Sequence, residues 1–302
     1  MIIAAIEAGG TKFVWGLLKA EARDRECPKI LERGSIPTTS PKATLDAVAT
    51  AISEAAKRVG SPEALGIGSF GPVVLKRSDP DWGKISVTPK PGWSWVDIAG
   101  YFRLALDLPI AFDTDVNAAA YGEYLWGEAR GIQDFIYLTV GTGIGGGVFS
   151  GGSLVHGLSH PELGHIKMAR EPDDAFAGSC PYHRDCLEGM ASGAAMARRW
   201  GCRAEELPPG HRAWELEATY LARAVATYSL VLSPELVLIG GGVGLRPGLV
   251  ERVDTLVGEE LAGYIPALTV PGCLESFVKR PKLGSEAGLI GSAGLAIRLV
   301  AE

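Results

Sequence analysis

Long apolar runs are missing from this 302-residue chain. None approaches the ~20 residues that a bilayer-spanning helix needs, so a membrane anchor of that kind is not expected. A basic excess is missing as well. Lys and Arg number 29 against 35 Asp and Glu, a formal charge of −6, which leaves no broad cationic footprint for nucleic acid or an anionic lipid surface. A small diffusing molecule is the expected partner. The chain opens on "MIIAAIEAGGTKFVWG", a strand-like run broken by glycines, in place of a basic leader followed by an apolar stretch. No secretory signal is expected, and the cytoplasm is the expected compartment. Cysteine is scarce and odd in number, at five. In a reducing compartment, Cys clustered with His points to metal ligands before disulfides. With 47% hydrophobic against 21% charged residues a globular chain and not disorder is the expectation, and the length accommodates two domains with separate cores.

Glycine is plentiful, and it recurs at the ends of apolar strands. "IIAAI" runs into Gly9-Gly10-Thr11-Lys12 and resumes as "FVWGLL", which reads as a hairpin. "DFIYLTVGTGIGGGVFSGG" repeats that design around Gly141-Thr142-Gly143 at a separation of roughly 130 residues, which suggests two related halves. A third turn, Gly240-Gly241-Gly242, follows "ELVLI". Between these, "ATLDAVATAISEAAKRVG" spaces Leu45, Val48, Ile52, Ala55 and Val59 as a helix ending at Gly60. "AWELEATYLARAVATYSLVLSP" reads as a long helix stopped by Pro234, and "AGLIGSAGLAIRLV" as a closing one. "PVVLKRSDPDWGKISVTPKPGW" reads as a long loop or β-ribbon. Alternation of strands and helices with Gly turns at strand ends predicts an α/β architecture.

Each Gly turn exposes successive N–H groups and lets a ligand approach the backbone, the requirement for cradling phosphate. Any one alone could be only a tight hairpin; three together favour phosphate binding. None is a G-x-x-x-x-G-K-[ST] loop, and "GTGIGG" lacks the following helix of a dinucleotide fingerprint, so a Rossmann oxidoreductase is disfavoured. "PIAFDTDVNAAAYGEYLWGEA" places Asp113, Thr114 and Asp115 where a strand's carboxyl end meets a helix. Either aspartate could do no more than favour the helix dipole. Phosphoryl transfer, however, asks for positioning, charge neutralisation and one carboxylate to receive a hydroxyl proton.

Residues 160–189 hold three of the five His and two of the five Cys. His165, Cys180, His183 and Cys186 give H-x14-C-x2-H-x2-C, a donor set that closes a tetrahedral zinc shell. With no vacant position for water, such a metal is structural and shapes the loop. Glu162 precedes His165 by three residues and Glu188 follows Cys186 by two, so the clip would fix both carboxylates near one cavity. Pointing outward, they would be ordinary surface charges.

Taken together, these segments resemble the ROK family of sugar kinases, within the actin/hexokinase-like superfamily, nearly end to end. "EAGGTK" looks like its first phosphate loop, "DTDVNAA" its catalytic segment and "GTGIGGG" its second phosphate loop. "PELGH" resembles its E-x-G-H sugar motif, "CPYHRDCLEGMASG" its zinc motif and "GGGV" its adenosine-side turn. The resemblance implies a two-domain actin/hexokinase-like (ribonuclease H-like) α/β fold with a cleft between domains. The expected division is residues 1–116 plus 287–302 for a small domain and 117–286 for a large, zinc-carrying one.

By the same resemblance Asp115 is the general base. Thr114, Glu162, His165 and Glu188 bind the sugar, with His165 also ligating zinc beside Cys180, His183 and Cys186. Gly10, Thr11, Lys12, Gly141, Thr142, Gly143, Ala194, Gly240, Gly241, Gly242, Val243 and Gly244 line the nucleotide. Structural Zn²⁺, Mg²⁺ and ATP are the implied cofactors and co-substrate, a hexose the substrate, and a homodimer the assembly. The segment "CPYHRDC", Thr114 before the base, "GSFGPV", "TPKPGW" and "PPGHRAWELEATYLA" look like the bacterial fructokinase branch. The expected reaction is therefore D-fructose to fructose 6-phosphate. Glucose, mannose or N-acetylhexosamine kinases are the alternatives within the family. A sugar-sensing repressor is disfavoured because the first strand begins at Met1 and leaves no room for a recognition helix. An actin-like filament subunit does not account for the Cys/His cluster.

Overall fold

The structure, a computed structural model, describes residues 1–21, 26–268 and 277–302. In chain order its strands are β1 (Ile2–Ala8), β2 (Lys12–Lys19), β3 (Lys29–Pro37), β4 (Leu65–Ser69), β5 (Ile110–Thr114), β6 (Phe135–Val140), β7 (Ile144–Ser150), β8 (Ser153–Leu154), β9 (Leu236–Gly240) and β10 (Val278–Lys279). Its helices are α1 (Pro41–Val59), α2 (Ile98–Leu106), α3 (Asp115–Trp126), α4 (Leu187–Ala191), α5 (Gly193–Trp200), α6 (Arg212–Leu232), α7 (Gly241–Gly244), α8 (Leu249–Leu261) and α9 (Ala287–Ala301).

The chain divides into two units, one of residues 1–131, 154–160 and 285–302, the other of 132–153 and 161–284. The first holds a sheet in the order β3-β2-β1-β4-β5, the second a sheet in the order β10-β9-β6-β7-β8. Read by rank within each half, the two orders are the same. β1 pairs antiparallel with β2 and parallel with β4; β6 pairs antiparallel with β7 and parallel with β9. The glycine-turn echo in the sequence is thus the visible part of a repeated topology.

In the first unit, period-2 alternation in β4 sorts its two faces. Leu65 and Ile67 join Leu45, Val48 and Ile52 of α1 and Phe102 of α2 in one apolar cluster. Gly66 and Gly68 face α9, where a Cβ on Gly66 would lie 1.7 Å from the Ser292 carbonyl oxygen. The α3–α9 contact is built the same way, since a Cβ on Gly291 would meet the Ala118 carbonyl oxygen at 1.6 Å. Only glycine admits these backbone approaches. The first unit holds the whole of α3, and residues 154–160 return to it. α1 ends as its sequence foretells: the Gly60 N–H donates to the Ala56 carbonyl, with φ at 113°. α6 ends at Ser233 in the left-handed region, directly before Pro234.

The second unit packs α6 against α8 beside its sheet, and Phe135 stacks on Phe149 across the β6–β7 pair with centroids 4.7 Å apart. Residues 72–92 form turns rather than a continuous ribbon, with an isolated bridge within the segment at Val73–Ile85 and one leaving it at Lys84–Asp97. Among the described residues no helix is long and apolar enough to cross a membrane.

Candidate active site

The base candidate lies in the first unit, at the junction of β5 and α3. Thr114 caps α3, its hydroxyl accepting from the Asn117 N–H at 3.0 Å, so Asp115 is the first helical residue. Asp115 Oδ1 accepts from the Val116 N–H at 2.9 Å. Desolvation by the surrounding protein outweighs these backbone bonds and raises its pKa to about 6. A carboxylate held there is half protonated one unit below neutrality, which suits proton acceptance better than an ordinary surface Asp. Thr114 itself is buried and its hydroxyl serves as the cap.

The β1–β2 turn closes through Gly9 N–H to the Lys12 carbonyl at 3.0 Å, and Thr38, just past the end of β3, secures it by donating from Oγ1 to the Gly9 carbonyl at 2.7 Å. Gly10, Thr11 and Lys12 are exposed. Just before this turn stands Glu7, whose pKa is raised to about 7 by burial and then by the charge of Asp115, with Lys12 acting in the opposite sense. Glu7 and Asp115 thus lie in one another's field, with the Lys12 ammonium partly offsetting it.

In the second unit the other two Gly turns meet. Gly141 N–H donates to the Gly143 carbonyl at 2.9 Å, Gly193 N–H to the Gly141 carbonyl at 2.7 Å, and Ala194 N–H to the Thr142 carbonyl at 3.3 Å. A Cβ on Gly193 would touch both the Gly141 carbonyl oxygen, at 2.8 Å, and Val243 Cγ2, at 3.3 Å. Gly241 is left-handed at φ 84°, and its Cβ would lie 2.5 Å from the Val140 carbonyl oxygen. Residues 141–143, 194 and 240–244, expected to share a nucleotide, therefore converge on the carboxyl ends of β6 and β9.

The E-x-G-H turn is docked on β7. A Cβ on Gly164 would meet the Ile144 carbonyl oxygen at 2.0 Å, and the Tyr228 hydroxyl donates to the Leu163 carbonyl at 2.5 Å. Glu188 reaches the same residue from α4, Oε2 accepting from the Ile144 N–H at 2.9 Å. Ile144 is thus the common neighbour of the two predicted sugar-binding segments. Glu162 is exposed, with Oε2 4.0 Å from His165 Nε2.

The other nitrogen of His165 faces sulfur. Nδ1 lies 3.8 Å from Cys180 Sγ and 3.6 Å from Cys186 Sγ, and His183 Nδ1 is 3.8 Å from Cys180 Sγ. All four donor atoms fall within 4.8 Å of one another. Bonds of about 2.3 Å to sulfur and about 2.0 Å to nitrogen from one central ion place tetrahedral donors about 3.3–3.8 Å apart, so the set suits a four-coordinate cation. Left to itself, burial pushes the Cys186 thiol up to about 11, a state that a coordinating cation reverses. The hairpin of ligands is tied by Cys180 and Arg184, which exchange backbone hydrogen bonds of 3.2 and 3.0 Å.

The ROK family profile matches residues 3–299. The chain belongs to the ROK family. The fructokinase of Zymomonas mobilis subsp. mobilis (strain ATCC 31821 / ZM4 / CP4) is 40% identical over 300 residues, spanning 98% of this chain and 96% of its own. The fructokinase of Pediococcus pentosaceus is 36% identical over 296 residues, 98% of each chain. A crystal structure of a ROK family glucokinase from Streptomyces griseus, in complex with glucose and AMPPNP, superposes with a TM-score of 0.75 at 26% identity, covering 99% of this chain and 100% of that one. The protein is an ATP-dependent sugar kinase of mixed α/β, two-sheet architecture.

Two residues of this kinase escaped the sequence reading. Glu7 was within reach of it, as an acid two residues before the Gly9-Gly10 turn. His156 carries no local signal. It is 43 residues from the group it touches, Asp113, with Nε2 2.8 Å from Oδ2.

Proposed function

We propose that the kinase phosphorylates D-fructose at its 6-hydroxyl, with Asp115 as general base. The observation that carries the mechanism is the setting of Asp115: a carboxylate at a helix start whose pKa, raised to about 6, leaves it ionised yet basic near neutrality. As the hydroxyl oxygen bonds to the γ-phosphorus, its proton passes to the Asp115 carboxylate, and the bond from γ-phosphorus to the β,γ-bridging oxygen breaks to release ADP. In the second unit Gly141–Gly143, Ala194 and Gly240–Gly244 would offer N–H groups to the nucleotide; in the first, Gly10, Thr11 and Lys12 would offer N–H groups and an ammonium to phosphate.

Glu162, His165 Nε2 and Glu188 take the sugar hydroxyls, with Thr114 contributing as the cap of the base's helix. His165, Cys180, His183 and Cys186 fit zinc, which supplies a structural clip for the loop bearing Glu188. Glu7, with Asp115 kept for the proton, would be the acidic group facing Mg²⁺, which would enter with ATP and supply neutralisation of phosphate charge. The choice of fructose is supported by relatives named fructokinases at 36% and 40% identity over nearly their full lengths. A cytoplasmic homodimer completes the reading. It is consistent with cysteines held as metal ligands, and sedimentation would measure the assembly.

The test is a panel of fructose, glucose, mannose and N-acetylmannosamine with ATP. Fructose should show the highest kcat/KM. A higher value for another sugar overturns the substrate, and no turnover on any hexose overturns the reading.

A further inference from the structure

We infer that His156 is a positioning residue for the catalytic turn, acting through Asp113. The inference rests on the assignment of Asp115 as base. Asp113 sits on β5 opposite Gly68 of β4 and is only 5% exposed. A carboxylate so placed must be fully hydrogen-bonded or give up its charge. Its Oδ1 accepts from the Thr114 N–H at 2.8 Å and from Asn117 Nδ2 at 2.7 Å. These are the residues that start α3 and flank Asp115. Oδ2 is held by His156 Nε2 at 2.8 Å. Asp113 is therefore a clamp on the turn that aims the base, and His156 is the group that keeps the clamp oriented. The reciprocal effect is visible on the imidazole, whose pKa is raised by its hydrogen bond to Asp113.

The segment carrying His156 is itself anchored in the same unit, since Val73 N–H donates to His160 Nε2 at 3.2 Å. His156 also has an open side. It lines a cavity of about 720 Å³ together with Phe112, Asp113, Lys76, Trp82 and Arg298. A side chain removed there leaves a void continuous with that cavity, into which a free imidazole can diffuse. A misplacement of an Ångström at a reacting group costs as much as about 100-fold in rate, so a clamp of this kind acts on kcat before it acts on nucleotide binding.

The experiment compares His156→Ala and His156→Gln in the full chain, with wild-type turnover on fructose measured alongside. His156→Ala should lower kcat about 10- to 100-fold with KM for ATP within about twofold. His156→Gln, which retains a nitrogen donor at the same reach, should recover most of that loss. Free imidazole should raise kcat of His156→Ala and leave wild type unchanged. Hydrogen exchange in a peptide covering residues 113–117 gives a readout independent of substrate: faster in His156→Ala, slowed again by imidazole. Should His156→Ala not fold, wild-type-like kcat and exchange in His156→Gln support the pairing, and a loss there beyond tenfold overturns it. Unchanged kcat and exchange in His156→Ala, or equal losses in both variants with no response to imidazole, overturn it as well. Wild type inactive on every hexose defeats the base assignment instead, and the exchange data still decide whether His156 holds the turn.

Discussion

The β1–β2 and β6–β7 hairpins have the same place in their sheets and the same Gly-Thr chemistry at the turn, yet different groups stand behind them. Behind the first are Glu7 and Asp115, carboxylates whose pKa values burial raises to about 7 and about 6. Behind the second are Glu188, hydrogen-bonded to Ile144 at the turn, and the four-ligand His/Cys cluster. The duplicated backbone supplies two phosphate-type cradles. On the function proposed above, what was not duplicated would divide proton acceptance from sugar holding.

That division can be broken from the metal side first. Cys180→Ala should lose the metal, raise the sugar KM more than about tenfold and leave KM for ATP within about threefold, as metal analysis and steady-state kinetics would show. Equal increases in both constants would merge the two roles. A finer cut is Gly143→Ala, whose Cβ would lie 2.6 Å from Glu188 Oε2. Displacing that carboxylate should cost about 1 kcal/mol, roughly fivefold in the sugar KM, with the metal retained. Acidity sharpens the first half. Because Asp115 accepts a proton only when ionised, kcat/KM should fall tenfold per unit as pH drops below about 6 and level off above it. A pH-independent profile between 5 and 7, at roughly constant stability, would remove Asp115 from that role.

The parts legible in the sequence are those whose signal is local. Gly turns between apolar runs announced both hairpins, and four Cys/His ligands within one loop announced the cluster. α1 and α6 declared their ends through Gly60 and Pro234. β3 was not read, because "KILERGSIP" mixes charges into a strand that the structure leaves largely half-exposed or exposed. β8 and β10 are two residues each, too short for any period. Asp113 looked like a dipole partner, and its clamp depends on a histidine brought back by tertiary folding. The contact of α3 with α9 joins segments far apart in sequence and has no local signal.

The most direct test of the division of labour is Asp115→Asn, followed by calorimetric titration with fructose. Since folding raises the Asp115 pKa from 3.8 to about 6, the ionised group destabilises the folded state increasingly as pH climbs through that window, and above it the cost is on the order of 2–3 kcal/mol. The neutral amide should therefore raise the melting temperature at pH 7. The account predicts a more stable protein that keeps its metal and its fructose affinity while kcat drops about 10²- to 10⁴-fold. Turnover within tenfold of wild type, or fructose binding lost along with turnover, would contradict it.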